Sequence, residues 1–60
     1  KSKISLVGKE GFASTVLRPS GKVKINDTIY DAISRGQFIN QKDKIIVIAD
    51  NKAHLVVDKV

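Results

Sequence analysis

The sequence has no cysteine, methionine or tryptophan, and only one histidine and one proline among its 60 residues. Without cysteine, disulfide bonds and thiolate metal sites are excluded. His54 by itself cannot form a zinc site. No apolar run reaches the roughly 18 residues that cross a bilayer, and no signal-peptide pattern is present. The residues therefore predict no metal, no cofactor and no membrane-spanning segment within this chain.

What the chain does have is enough apolar material for one small core, since 42% of its residues are hydrophobic. A chain of this length folds as a single domain, so we expect residues 1–60 to form one unit. The first residue is Lys1 and not methionine. We therefore expect the chain to be a piece of a longer protein.

Basic residues outnumber acidic residues by 11 to 6, which gives a net charge of +5. Such a balance is typical of proteins that bind nucleic acid, an anionic membrane surface or an acidic protein, and also of an ordinary lysine-rich surface. Most lysines alternate with acidic residues along the chain. The basic stretch without acidic residues contains Arg18, Lys22 and Lys24.

The hydrophobic pattern predicts β-strands throughout, because apolar and polar residues alternate over short segments separated by turn residues. A short apolar segment, Ile4–Val7, precedes them. The predicted strands are Glu10–Leu17, Lys22–Asn26, Thr28–Ile33, Lys44–Ala49 and Ala53–Val57. Five short strands in 60 residues favour a small all-β barrel of the five-stranded OB-fold type, with an SH3-like barrel as the alternative.

Four turns separate these strands. Pro19 and Gly21 mark the first turn, in which we expect Gly21 to take a positive φ. Asn26-Asp27 and Asp50-Asn51 are predicted as two-residue hairpin turns. The polar stretch Asn40–Asp43 is predicted as a further turn.

The predicted core consists of the inward positions of the clearest strands, which are Val23, Ile25, Ile45, Val47, Leu55 and Val57. On the third strand, either Ile29 with Ile33 or Tyr30 with Ala32 faces inward. The aromatic residues Phe12, Tyr30 and Phe38 offer the largest apolar area and are expected in the core. Phe38 and Ile39 are expected to close one end of the barrel.

Catalytic chemistry is not expected in this chain. None of its five serines lies in a Gly-x-Ser-x-Gly motif, and His54 is the one candidate base. His54 itself is expected on the surface. Asp27, Asp43 and Asp50 lie in turns, where an aspartate usually bonds its own backbone. Gly8-Lys9-Glu10-Gly11 has no following helix and so is no phosphate loop.

The common ligand of an OB-fold barrel is single-stranded nucleic acid, which needs a row of aromatic platforms on a basic face. Here Tyr30 beside Lys22 and Lys24 supplies one platform. A single-stranded nucleic-acid-binding domain is therefore the alternative function, and nucleic acid is not the favoured partner.

Three segments carry a resemblance to a known family: Leu17–Val23 (LRPSGKV), Tyr30–Ser34 (YDAIS) and Gly36–Ile39 (GQFI). In this order they resemble the C-terminal domain of NfeD-like membrane proteins, over nearly the whole chain. An alternative explanation for the Arg-Pro-Ser-Gly sequence is that the geometry of the turn by itself requires these residue types. The resemblance implies an OB-fold domain that contacts other proteins and is not itself an enzyme.

The same resemblance implies a longer parent. NfeD-like proteins carry transmembrane helices before this domain, and long forms add a ClpP-class serine protease domain. The implied partner is a stomatin- or flotillin-like membrane protein, and the parent is implied to be a membrane-bound serine protease or a regulator of membrane protease activity. We thus expect a soluble C-terminal domain anchored through the missing N-terminal part. The sequence does not give the side of the membrane, and the cytoplasmic side is favoured.

Contact residues are chosen for their chemistry, since arginine and aromatic side chains dominate protein interfaces. The candidates for the partner surface are Arg18, Tyr30, Arg35 and Phe38. Lys22 and Lys24 are candidates for contact with anionic lipid headgroups, where each lysine adds roughly 1 kcal/mol.

Overall fold

The computed structural model describes residues 6–51 and 53–60, and the part it describes contains five β-strands and no helix. The strands are β1 (Glu10–Ala13), β2 (Ser20–Ile25), β3 (Thr28–Ser34), β4 (Lys44–Asp50) and β5 (Leu55–Lys59). They close into a barrel in the order β1-β2-β3-β5-β4, in which only β3 and β5 run parallel. The predicted all-β, five-stranded OB-like barrel is confirmed. No helix long and apolar enough to cross a membrane occurs within the described ranges.

The core lies inside the barrel and is built from small aliphatic side chains. All six predicted core residues are buried. Ala32 is buried with them and Tyr30 packs against the core, so the second of the two patterns considered for β3 is the correct one. The remaining buried hydrophobic residues are Ala13, Leu17 and Ile39. Of the apolar segment predicted before β1, residues 4 and 5 lie outside the described ranges, whereas Leu6 packs against the core.

The first predicted strand is shorter than the sequence suggested. β1 ends at Ala13, because the amides of Ser14 and Thr15 both donate to the Lys22 carbonyl, at 2.8 and 3.2 Å. Two consecutive residues facing one partner bend the chain, as in a β-bulge. Leu17 then pairs with Ile39 in an isolated antiparallel bridge. The segment 14–19 is therefore a loop that is tied to the barrel at both ends.

Two of the four turns agree with the sequence and two differ. The predicted turn at residues 40–43 is present, with the Asp43 amide donating to the Asn40 carbonyl at 3.1 Å. Asn26 and Asp27 have φ values of 51° and 66°, as a two-residue hairpin turn requires. Gly21 does not have a positive φ; instead, a Cβ atom there would lie 2.5 Å from Leu17 Cδ2. Gly21 therefore permits close packing. The turn after β4 is longer than predicted, since Asp50 ends the strand and the Asn51 amide donates to the His54 carbonyl at 3.0 Å.

The expectation that the aromatic residues fill the core is wrong for two of the three. Phe12 is 55% exposed and Phe38 is 70% exposed, while Tyr30 is half-buried. Strand alternation explains this outcome: Ala13 takes the inward position beside Phe12, and Ile39 takes the one beside Phe38. Ile39 therefore closes the barrel without Phe38, and two large apolar side chains remain on the surface.

Candidate functional site

The candidate site begins with the bridge between Leu17 and Ile39. The Leu17 amide donates to the Ile39 carbonyl at 2.8 Å, and the Ile39 amide donates back to the Leu17 carbonyl at 3.1 Å. Both side chains are fully buried. Because the pairing is antiparallel, residue 18 lies opposite residue 38, and both side chains point away from the core.

Arg18 and Phe38 are in direct contact on this outer surface. The guanidinium carbon of Arg18 lies 5.9 Å from the centroid of the Phe38 ring, within the range of a cation–π interaction. Val16 precedes the buried Leu17 and is 40% exposed. We call the surface formed by Val16, Arg18 and Phe38 the Arg18–Phe38 patch. It combines exposed apolar area with a positive charge.

The charge of Arg18 is not neutralised by the rest of the described chain. All six carboxylates of the protein lie in described residues. Five of them form ion pairs with other bases, and Asp50 accepts the Leu6 amide at 3.1 Å. The five pairs are Lys22–Asp31, Lys24–Asp27, Arg35–Asp58, Lys44–Glu10 and Lys59–Asp43. Within the described part of the chain, the Arg18 guanidinium has no carboxylate within 4.0 Å.

The turn geometry explains most of the segment 17–21, but not Arg18. Leu17 is core, and Gly21 makes room for it. The Arg18–Pro19 peptide bond is cis, and the Pro19 carbonyl accepts the Ser34 amide at 2.7 Å. The Arg18 side chain contacts the exposed ring of Phe38 and fills no core position. A side chain that the fold does not require is a candidate for binding.

The same reasoning applies to the segment 36–39. Gly36 adopts a φ of 83°, which favours glycine, and Ile39 is buried. Ser34 anchors the segment, since its hydroxyl donates to the Gln37 carbonyl. Phe38 has no such structural role. Among the large hydrophobic residues in the described part of the chain, it has the highest exposed fraction.

Of the four predicted contact residues, the structure brings together Arg18 and Phe38. Tyr30 packs against the core from β3. Arg35 lies 3.9 Å from Asp58, and its amide donates to the Val57 carbonyl. Val16 was missed, although the alternation that makes Leu17 buried also turns Val16 outward.

A concave surface lies across β2 and β3, away from the Arg18–Phe38 patch. This cleft has a volume of about 570 Å³. The side chains of Lys22, Asp31 and His54 contribute to its lining, together with Thr15 and Ser20. Lys22 donates a hydrogen bond to Asp31, and this bond and the charge of Lys22 hold the pKa of Asp31 below its usual value, with a smaller contribution from His54.

The cleft occupies the face on which OB-fold domains bind single strands, but it lacks what such binding uses. None of the residues that line it is phenylalanine, tyrosine or tryptophan, and the imidazole of His54 is its single ring. The positive charge of Lys22 is compensated by Asp31, and Lys24 lies 4.0 Å from Asp27. Contact of Lys22 and Lys24 with lipid headgroups stays a prediction. Lys24 is the better candidate of the two, because Lys22 is hydrogen-bonded to Asp31 whereas Lys24 lies 4.0 Å from Asp27.

The cleft also brings together Ser20, Asp31 and His54, the residue types of a hydrolytic triad. Their arrangement is not that of a triad. Asp31 binds Lys22, and the His54 ring faces the Asn51 amide group at 3.5 Å. Within residues 6–51 and 53–60, no hydrogen bond joins the Ser20 hydroxyl to His54, and no group of three potential metal ligands comes together.

Comparison with known proteins gives three matches. A family model described as the NfeD-like C-terminal, partner-binding domain matches residues 4–59. Membrane protein NfeD1b of Bacillus subtilis (strain 168) is 37% identical over all 60 residues, which make up only 14% of its length. The C-terminal domain of stomatin operon partner protein 1510-C from Pyrococcus horikoshii matches with a TM-score of 0.88. That match covers 92% of this chain and 88% of that one at 23% identity, and it shows a shared fold.

Proposed function

This chain belongs to the family of NfeD-like C-terminal, partner-binding domains, and from that premise we propose that it is a non-catalytic protein-interaction module. The observation that carries the proposal is the Arg18–Phe38 patch. An exposed phenylalanine in cation–π contact with an arginine that has no carboxylate partner in the described chain combines the two residue types that dominate protein interfaces, an aromatic ring and an arginine.

The larger protein to which the module belongs is proposed to be membrane-anchored. Support comes from the relative in Bacillus subtilis, which is named a membrane protein. This chain corresponds to 14% of it, so that relative has about 430 residues, enough for membrane helices and a further domain. A ClpP-class serine protease domain in the parent, a role in regulating membrane protease activity and a cytoplasmic position of the module stay predictions.

The proposed partner is a stomatin- or flotillin-like membrane protein. Support comes from the structural neighbour, whose own description is that of a stomatin operon partner protein. The barrel of this chain has the same fold as that neighbour. A partner that is itself attached to the membrane would meet a tethered module at high effective concentration, so a small contact surface is sufficient.

Two observations support a binding role over a catalytic one. Asp31 is engaged by Lys22, and so it does not orient His54 as a triad aspartate would. The cleft that contains both is open and lies on the barrel wall, whereas substrate pockets enclose most of their ligand.

The proposal is tested by measuring binding between this chain and a purified stomatin-like protein from the same genome, by isothermal titration calorimetry. We expect saturable binding that Phe38→Ser weakens. Phe12→Ser is the matched control, because Phe12 is also an exposed phenylalanine but lies outside the patch. If neither stomatin- nor flotillin-like proteins bind, the proposed partner is wrong. If Phe12→Ser weakens binding and Phe38→Ser does not, the proposed surface is wrong.

A further inference from the structure

The distribution of charge around the Arg18–Phe38 patch specifies what kind of segment it fits. Eight basic residues are described, and five of them are paired with carboxylates. The three without a carboxylate within 4.0 Å are Lys9, Arg18 and Lys42. Of these three, Arg18 is held against an exposed aromatic ring.

Lys42 belongs to the same loop system as the patch. Residue 40 lies opposite residue 16 in the antiparallel pairing around Leu17 and Ile39, and Lys42 follows two positions later. The Lys42 amide donates to the Ala13 carbonyl at 2.7 Å, which fixes the loop to the end of β1. The neighbouring carboxylate, Asp43, is already engaged by the Asn40 amide at 3.1 Å and by Lys59 at 3.5 Å. Lys42 therefore adds a positive charge without a carboxylate partner among the described residues to the loop that follows Ile39.

The patch offers two kinds of contact at once. The guanidinium of Arg18 presents a planar fork of donors that matches a carboxylate. The ring of Phe38 offers apolar surface beside it, and Val16, two residues before Arg18 on the same outward side of Leu17, is exposed as well. A nucleic acid would use the charge, but it would find a single ring with one face covered by Arg18, and no second platform in the patch.

We propose that the Arg18–Phe38 patch recognises a short protein segment in which an apolar side chain lies within one or two residues of a carboxylate. This inference rests on the proposed function and adds the chemistry of the partner to it. The carboxylate binds Arg18, and the apolar side chain packs on Phe38 and Val16. Lys42 adds a long-range attraction for a segment with further acidic residues.

The experiment is a selection from a random dodecapeptide phage library on the immobilised 60-residue chain, followed by fluorescence anisotropy with the enriched peptides. We expect enriched peptides to combine aspartate or glutamate with a neighbouring leucine, isoleucine or phenylalanine. Arg18→Gln should weaken their binding by about ten- to hundredfold, as expected for a hydrogen bond to a charged group. Phe38→Ser should weaken it by about thirtyfold or more.

Matched controls separate the patch from general effects of charge and hydrophobicity. Arg35→Gln removes the same charge from a different exposed arginine, and Phe12→Ser removes a different exposed ring. Both should leave peptide affinity within about twofold. Arg18→Lys keeps the charge but loses the planar fork, so we expect its peptide affinity to lie between that of the parent chain and that of Arg18→Gln.

Several results would overturn the inference. These are the absence of any enriched peptide, enrichment of peptides without acidic residues, equal effects of Arg18→Gln and Arg35→Gln, or tighter binding of fluorescent oligo(dT) than of the peptides. Failure here is distinguishable from failure of the proposed function. If a stomatin-like protein binds while acidic–apolar peptides do not, the function stands and the assigned partner chemistry is wrong.

Discussion

Leu17 and Ile39 exchange a pair of backbone hydrogen bonds, and their side chains are both fully buried in the barrel. This single bridge holds two loops together and places Arg18 and Phe38 side by side on the outside. The stability of the barrel end and the shape of the proposed binding surface therefore depend on the same contact.

Truncation of Ile39 tests the structural half of this relationship. Because Ile39 is fully buried, Ile39→Ala should lower the free energy of unfolding by about 2–5 kcal/mol. Urea denaturation followed by circular dichroism measures this. The matched control is Ile29→Ala, since Ile29 is 48% exposed and should cost much less. If Ile39→Ala prevents folding, Ile39→Val should still cost about 0.5–1.5 kcal/mol. Equal effects at residues 29 and 39 would contradict the buried bridge.

Substitution of Gly11 tests the closeness of β1 and β2. A Cβ atom at Gly11 would lie 2.3 Å from the Lys24 carbonyl oxygen and 2.8 Å from Ile25 Cγ1. The backbone has to move to admit it, so Gly11→Ala should lower the free energy of unfolding by about 1–3 kcal/mol, measured by urea denaturation. Ser20→Ala, at an exposed strand position, is the control and should change it by less than about 0.5 kcal/mol. A neutral or stabilising Gly11→Ala would show that the two strands are further apart than described.

The pairing of Lys22 with Asp31 predicts a pH dependence. The hydrogen bond and the charge of Lys22 favour the ionised carboxylate, so the pKa of Asp31 in the folded barrel lies below its ordinary value of 3.8. A lowered pKa in the folded state gives stability that is present above pH 3.8 and is lost as the pH falls below it. Lys22→Gln should therefore raise the pKa of Asp31 towards 3.8.

The measurement for this pair is a carboxyl-carbon NMR titration of Asp31 in the parent and in Lys22→Gln. Lys24→Gln is the control, because Lys24 lies 4.0 Å from Asp27 and is not the partner of Asp31. The difference in stability between the parent and Lys22→Gln should be present at neutral pH and vanish in strong acid. An Asp31 pKa that is the same in both proteins would contradict the ion pair.

The sequence was sufficient to predict the barrel because most of its strands alternate and the fourth is a short continuous apolar run bounded by turn residues. Val23 and Ile25 on β2, and Ile45 and Val47 on β4, occupy the inward positions that a period of two residues requires. The turn at residues 26 and 27 follows from residue types that tolerate a positive φ. These are local properties, so they can be recognised in the sequence without a structure.

The proposed binding surface was only partly predictable. Arg18 and Phe38 were chosen for their residue types, but their contact depends on the bridge between residues 17 and 39, which no local pattern encodes. Whether Phe12 and Phe38 enter the core depends on the volume of the closed barrel and on which neighbour takes the inward position. Aliphatic side chains fill that interior, and the two rings are left outside.

A titration with single-stranded DNA tests the alternative function directly. The cleft across β2 and β3 is lined by no phenylalanine, tyrosine or tryptophan and contains the compensated pair Lys22–Asp31. Amide chemical shifts of the chain should therefore stay unchanged when oligo(dT) is added at low salt, where phosphate contacts are strongest. Salt-dependent shifts around Lys22 and His54 would restore nucleic-acid binding as the function.

The most direct test of the central claim is an NMR footprint of the ¹⁵N-labelled chain in complex with the proposed stomatin-like partner. We expect the strongest amide perturbations in residues 16–18 and 37–40, and we expect Arg18→Gln with Phe38→Ser to abolish them. A footprint centred on the cleft around Lys22, Asp31 and His54, or on the exposed Phe12 and Ile29, would contradict it.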